Sequence, residues 1–161
     1  MISSGNEPSL FEYVKDKIEH EWQPDWNMKE ERQYRDDLLT FLDKRLKKTH
    51  QIGSEDGRGL ADIGIDGEIG IELKLDLYSK SEIDRLTGQV VRYLKGRKGY
   101  DGIIIVLLGK VSPTVVRDVR YNMREVAKSH EEPDPILGSF RKVQSKKIAL
   151  IAKSPSKAQV S

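Results

Sequence analysis

The chain has 161 residues, 34% of them charged and 37% drawn from the AVILMFWYC set, which fits one domain with a modest core and excludes wholesale disorder. Cysteine is absent, and the three histidines, His20, His50 and His130, are scattered, so disulfide frameworks, Cys-ligated metal sites and a His-built metal centre are excluded or disfavoured. The formal net charge is +2, yet residues 1–84 carry 12 Lys or Arg against 20 Asp or Glu, and residues 85–161 carry 16 against 6, an asymmetry that hints at a polyanionic partner.

In chain order, residues 1–8 read as a loose lead-in. Ser9 is expected to cap a helix running to about Trp22, with Leu10, Phe11, Val14 and Ile18 on one face. Gln23-Pro24-Asp25 breaks it. A second helix is expected from about Met28 to Lys48, its apolar stripe made of Tyr34, Leu38, Leu39, Phe41, Leu42 and Leu46. Gly53 to Gly59 reads as a polar, glycine-rich loop, with His50 a strand-end residue before it. The stretch from Ala61 to Leu77 alternates with a period of two around Asp66-Gly67, the pattern of a β-hairpin. Ser79 or Ser81 would cap a helix to about Lys95 carrying Ile83, Leu86, Val90 and Leu94. Ile103–Leu108 is the longest apolar run and reads as a buried central strand. Ser112-Pro113 opens a helix to about Lys128, Pro133 to Gly138 is a loop, Lys147–Lys153 is a last strand, and 154–161 reads as a disordered tail. The order α-α-β-β-α-β-α-β predicts an α/β fold: a mixed sheet with helices on both faces.

The hairpin register follows from its apolar residues. Ile63 and Ile65 must face the same core as Ile69, Ile71 and Leu73. A two-residue Asp-Gly turn would mix the faces. A three-residue loop, Asp66-Gly67-Glu68, pairs Ile65 with Ile69 and Ile63 with Ile71. That register sets Asp62 opposite Glu72, with Lys74 two residues on along the same face. Directly opposed side chains are ~4.5–5.5 Å apart at Cβ. Two carboxylates so placed repel unless neutralised; Lys74 can do part of this, and a hard divalent cation more. A surface salt-bridge ladder is the competing explanation, but Glu72-Leu73-Lys74 is the only Asp/Glu-x-Lys in the chain and lies in an apolar strand.

Asp62, nine intervening residues, and Glu72-Leu73-Lys74 on the following strand resemble the signature of the PD-(D/E)XK nuclease superfamily. The surroundings follow the same order. Glu31-Arg32 opens the preceding helix in a pattern similar to archaeal Holliday-junction resolvases and Mrr-like endonucleases. The following helix reads Gly88-Gln89-Val90-Val91-Arg92-Tyr93, similar to the Gln-x-x-x-Tyr of one branch of the family, and a buried strand comes next. Ala61 stands where the name-giving proline would be, a position that varies in the superfamily. The resemblance covers about 31–110 and implies a restriction-endonuclease-like fold within a single nuclease-like domain spanning 1–153.

It also implies roles. Asp62 and Glu72 would hold Mg²⁺, with Mn²⁺ an acceptable substitute, the Leu73 carbonyl a further ligand and Glu31 an outer or second ligand. Lys74 would orient or help deprotonate the attacking water, and Gln89 and Tyr93 would position Lys74 or touch the scissile strand. Each keeps a plainer alternative: Glu31 as a carboxylate favoured by a helix N-terminus, with Glu30 in its place as a ligand, and Gln89 and Tyr93 as ordinary residues of an amphipathic helix. Asp66 is better explained by turn chemistry, and Asp76 faces the right way as a further acid.

The expected activity is a metal-dependent DNA endonuclease of repair, recombination or defence. Metal–carboxylate chemistry is what this composition supports for phosphodiester hydrolysis. Arg58, Arg85, Arg92, Tyr93, Lys95, Arg97 and Lys98 are the expected nucleic-acid contacts, with further basic clusters at Lys44–Lys48, Arg141-Lys142 and Lys146-Lys147. No small-molecule cofactor is implied. A homodimer is one expected assembly, since cutting two strands often uses two copies. The start, MISSGNEPS, lacks a basic n-region and an apolar h-region, so a cytoplasmic protein without membrane association is expected. Two alternatives stay open: a catalytically silent nucleic-acid-binding or assembly subunit of the same fold, and a soluble α/β interaction protein.

Overall fold

The computed structural model describes residues 7–46, 48–54, 60–95, 99–130 and 146–155. The loop expected at 133–138, the tail from 156, and Lys47, Arg58, Arg97, Lys98, Arg141 and Lys142 lie outside the described residues. Helices α1 (Leu10–His20) and α2 (Glu31–Leu46) come first. Strands β1 (Ile52–Ser54), β2 (Ile63–Ile65) and β3 (Ile69–Leu75) follow, then α3 (Lys80–Leu94), β4 (Gly102–Leu108), α4 (Pro113–Ser129) and β5 (Lys147–Lys153).

The result is an α/β fold with one five-stranded mixed sheet in the order β1-β2-β3-β4-β5. The first three strands form an antiparallel meander, and β4 and β5 join parallel to β3 after helical crossovers. Ile63, Ile65, Ile69, Ile71 and Leu73 pack with α1 and α2 on one face. On the other face, Ile103, Ile105 and Leu107 pack with α3 and α4. Covered on both sides, all seven residues of β4 are buried, which is why that segment reads as an unbroken apolar run.

Ends are set by local chemistry. Ser9, Ser79 and Ser112 each accept a hydrogen bond from a first-turn backbone N–H, and Glu82 closes a capping box with Ser79. The α2 helix begins at Glu31 rather than Met28, because the Gln33 side chain accepts from the N–H groups of Lys29 and Glu30, both at 2.9 Å, and holds those residues as a preceding turn. The α1 helix stops at His20, before Trp22, which is buried anyway with its indole N–H donating to Asp37 at 2.8 Å. One element was not expected: β1, a three-residue strand pairing with β2.

The hairpin pairs Ile65 with Ile69 and Ile63 with Ile71, the register that face parity demands. Asp66 and Gly67 both adopt positive φ, and the Glu68 N–H donates to the Ile65 carbonyl at 2.9 Å to close the loop. Gly64 faces Gly70 across the hairpin. A Cβ on Gly70 would lie 2.9 Å from Ile103 and 3.0 Å from both Ala61 and Tyr100. Gly70→Ala should therefore cost about 1–3 kcal/mol through overpacking, seen as a lower urea midpoint with an unchanged slope. Among the described residues no helix is long and apolar enough to cross a membrane.

Candidate active site

The β2–β3 ladder stops at Ile63–Ile71, but β3 runs on to Leu75. Its outer edge is then open, and two backbone N–H groups on it, those of Leu73 and Leu75, need acceptors. Carboxylates supply both. Leu73 N–H donates to Asp62 Oδ2 at 2.9 Å, and Leu75 N–H donates to Glu31 Oε2 at 3.1 Å. The expected direct opposition of Asp62 and Glu72 in the ladder is thus corrected: Asp62 has left the ladder and its carboxylate caps the β3 edge one residue further on. A strand residue projects its N–H and C=O to the same edge, so the Leu73 carbonyl emerges beside Asp62.

Glu72 and Lys74 alternate with these residues and face α3. Glu72 is 3% exposed. Its Oε1 lies 3.2 Å from Lys74 Nζ, while its Oε2 is buried without a hydrogen-bond partner among the described residues. Lys74 Nζ is also 3.9 Å from Glu31 Oε1, so the ammonium sits between acids contributed by β3 and by the start of α2. Tyr93, on α3, stands near Glu72, and its phenol favours the charged form of that carboxylate. Tyr93 is steadied edge-on by Tyr100, ring centroids 6.3 Å apart, and the Tyr100 hydroxyl accepts the Ala61 N–H at 3.3 Å. That chain of contacts anchors the residue before Asp62.

The electrostatics are those of acids short of positive charge. Burial, followed by the Asp62 carboxylate, pushes Glu72 up to about 7 against the pull of Lys74 and Tyr93. Burial raises Asp62 too, opposed by the Leu73 N–H, Lys74 and Arg35. Glu31 is raised by burial, opposed by the Leu75 N–H and Lys74, but its side chain is 41% exposed and water screens it. Burial and the neighbouring Glu72 charge raise the Tyr93 phenol.

The structure therefore brings Asp62, Glu72, Lys74, Glu31 and Tyr93 together, with Leu73 contributing backbone. Gln89 lies one turn before Tyr93 on α3, and its amide oxygen is buried and unpartnered among the described residues. Arg85, Arg92 and Lys95 are exposed on or just beyond the same helix. Arg35 was not foreseen. It stands four residues after Glu31, one helical turn, and its charge lowers Asp62. Asp66 does serve the turn, accepting from the Gln51 N–H at 2.7 Å and meeting His50 Nδ1 at 2.6 Å. Much of the basic half lies elsewhere: Arg120, Arg124, Lys146 and Lys147 line a groove of about 570 Å³ between α1, α4 and β5.

Among the described residues no three acidic or histidine side chains stand close enough to hold a metal ion as a group. Two carboxylates and a backbone carbonyl do meet the usual needs of Mg²⁺, which keeps several waters. Glu72 feels the Asp62 charge, and its buried Oε2, unpartnered among the described residues, fits that role, since a buried charged oxygen is costly without a partner. Comparison with protein-family models, curated proteins and solved structures returned no match.

Proposed function

We propose that the chain is a metal-dependent phosphodiesterase with a restriction-endonuclease-like fold, acting on DNA as an endonuclease in repair, recombination or defence. The observation that carries this reading is the buried Glu72 carboxylate, with one oxygen on Lys74 and the other unpartnered, next to an Asp62 carboxylate fixed on the open edge of β3. A structural ion pair needs one acid for one lysine. Here Glu72 and Glu31 share Lys74, and Asp62 stands near with Lys74 and Arg35 as its cations, yet all three acids are raised in pKa, a deficit of positive charge that a metal ion would fill.

Asp62, Glu72 and the Leu73 carbonyl would hold Mg²⁺ or Mn²⁺. When bound, the ion supplies Lewis acidity toward phosphate oxygens and a more acidic water. The side chains of the chain itself do the rest. Lys74, anchored by Glu72 and Glu31, presents N–H donors to the attacking water and to the phosphate oxygen on which charge builds. Glu31 is a positioning residue for Lys74 and ties α2 to the end of β3. Tyr93, near Glu72 on the α3 side, favours the charged form of that carboxylate. Gln89, with its amide oxygen unpartnered, has a free acceptor for the same water or for Lys74. Arg85 and Arg92, exposed along α3, would meet the backbone of the bound strand, giving salt-sensitive binding.

The test is cleavage of supercoiled plasmid and of branched and single-stranded DNA by the full chain in Mg²⁺, in Mn²⁺ and in EDTA. Nicking or linearisation in either metal and none in EDTA is the expected result. DNA binding with no cutting of any substrate would return the chain to the non-catalytic class. Neither binding nor cutting would end both nucleic-acid readings.

A further inference from the structure

A second concave feature adjoins the acidic centre. Trp26, Met28, Lys29 and Tyr34 form one wall of a pocket of about 360 Å³, and Leu75, Asp76, Gly109, Lys110 and Pro155 complete it. That is at the small end of ligand pockets, which run about 300–1,000 Å³. It lies at the carboxyl ends of the parallel strands β3 and β4, where open α/β sheets tend to bind ligands. It is also contiguous with the centre. Leu75 lines the pocket and gives its N–H to Glu31, and Tyr34 is one turn after Glu31 on α2.

We propose that this pocket receives an unpaired base of the nucleic-acid strand being cut, so that the substrate is single-stranded or branched rather than regular duplex. The inference rests on the phosphodiesterase reading and names its substrate class. Three features of the pocket carry it. The Trp26 indole is half-buried, tilted against Tyr34 with centroids 5.9 Å apart, and so presents a supported aromatic face for stacking. The Tyr34 ring is fixed in turn by its hydroxyl, which donates to the Met28 carbonyl at 3.1 Å. Two exposed lysines, Lys29 and Lys110, flank that face, and neither has a carboxylate partner among the described residues. Aromatic face and cations together match a base with its phosphates.

The third feature is the floor. Asp76 takes a left-handed conformation, φ 53°, held by its N–H donating to the Leu108 carbonyl at 2.9 Å and by its Oδ1 accepting the Lys110 N–H at 2.7 Å. Gly109 is also left-handed at φ 82°, and a Cβ there would collide with the Asp76 carboxylate. Asp66, the other non-glycine residue with positive φ among the described residues, is accounted for by the hairpin turn. Asp76 turns the chain so that its carboxylate, held by the Lys110 backbone N–H, lines the pocket. An acceptor there suits the amino group of a base. A base stacked inside a duplex cannot offer its face to an indole in a pocket; an unstacked one can.

The test uses the full chain in EDTA. Its two tryptophans differ, Trp22 being 1% exposed, so quenching by a stacked base reports on Trp26. A short single-stranded oligodeoxynucleotide should quench emission saturably in the wild type and not in Trp26→Phe, whereas blunt duplex of equal length should not quench. Trp26→Ala should weaken single-strand binding about tenfold or more and duplex binding less than twofold. Lys110→Ala, at an exposed position, should weaken single-strand binding severalfold and guards against a folding defect in Trp26→Ala. Tyr121→Ala, removing an exposed aromatic on α4, should change neither. Absence of quenching, or equal losses on single strand and duplex, overturns the pocket. Cutting in Mg²⁺ without quenching removes the pocket alone; quenching in a chain that cuts nothing sustains the pocket and removes the phosphodiesterase reading.

Discussion

Lys74→Ala should lower metal-dependent cleavage by about a thousandfold while leaving DNA binding within about twofold. A single well-placed donor to a developing oxyanion contributes about a hundred- to a thousandfold, and Lys74 has a second role that disappears with it. It lies 3.2 Å from Glu72 and 3.9 Å from Glu31, and it is the cation that offsets the burial of Glu72. Without it, Glu72 is driven further toward its neutral form, so the mutant would present a weaker metal ligand as well as one donor fewer. Lys74→Arg separates the two effects. It keeps the charge but replaces a compact ammonium by a larger planar fork, whose donors pair with carboxylates and no longer sit where the Lys74 ammonium meets the water and phosphate. Arginine should therefore restore metal affinity more than it restores turnover. Plasmid nicking under single-turnover conditions measures turnover, and metal titration of the same variants measures affinity. Full activity in Lys74→Ala would mean that the Glu72–Lys74 pair serves only the fold.

Alternation made the hairpin legible. Five apolar residues at odd positions, Ile63, Ile65, Ile69, Ile71 and Leu73, can share a face in one register only, and the intervening acids then fall together. Ser9 was legible as a helix cap, and of the alternatives Ser79 and Ser81 it is Ser79 whose side-chain oxygen serves the N–H three residues on. The parts that were hidden depend on contacts between distant segments. Nothing near Glu31 tells that its carboxylate will meet a backbone N–H 44 residues later. Nothing near Asp62 tells that β2 begins only at the next residue, so that the Asp62 carboxylate caps β3 instead of joining the ladder. The β1 strand, Ile-Gly-Ser, is too short for any period to register, and it exists because β2 offers it an edge. Arg35 and Trp26 carry no local signal of a site, because only the folded sheet brings Asp62 near the one and Asp76 into the same pocket as the other.

Glu72→Gln should flatten the pH dependence of stability in the metal-free protein. Glu72 is pushed up to about 7 in the fold, against about 4.5 when unfolded. A carboxyl whose folded pKa is raised contributes stability that is fully present below the unfolded pKa and is lost as pH rises through the folded one. Metal-free wild type should therefore lose on the order of 3 kcal/mol of unfolding free energy from this group between about pH 4.5 and pH 7. Asp62 is shifted in the same direction and adds to the slope. The glutamine variant, with no proton to lose, should show little of this loss. It should be the more stable of the two near pH 8, by less than the full amount because Lys74 then keeps only Glu31 as a counterion. Added Mg²⁺ should reverse the trend in wild type, stabilising it more at pH 8 than at pH 5, because the cation binds the charged carboxylates of the folded state. Urea unfolding at pH 5 and pH 8, with and without Mg²⁺, measures all four quantities. Stability rising with pH in the metal-free wild type would mean that Lys74 outweighs burial at Glu72, that the pair is a satisfied ion pair, and that no deficit of positive charge exists there for a metal to fill.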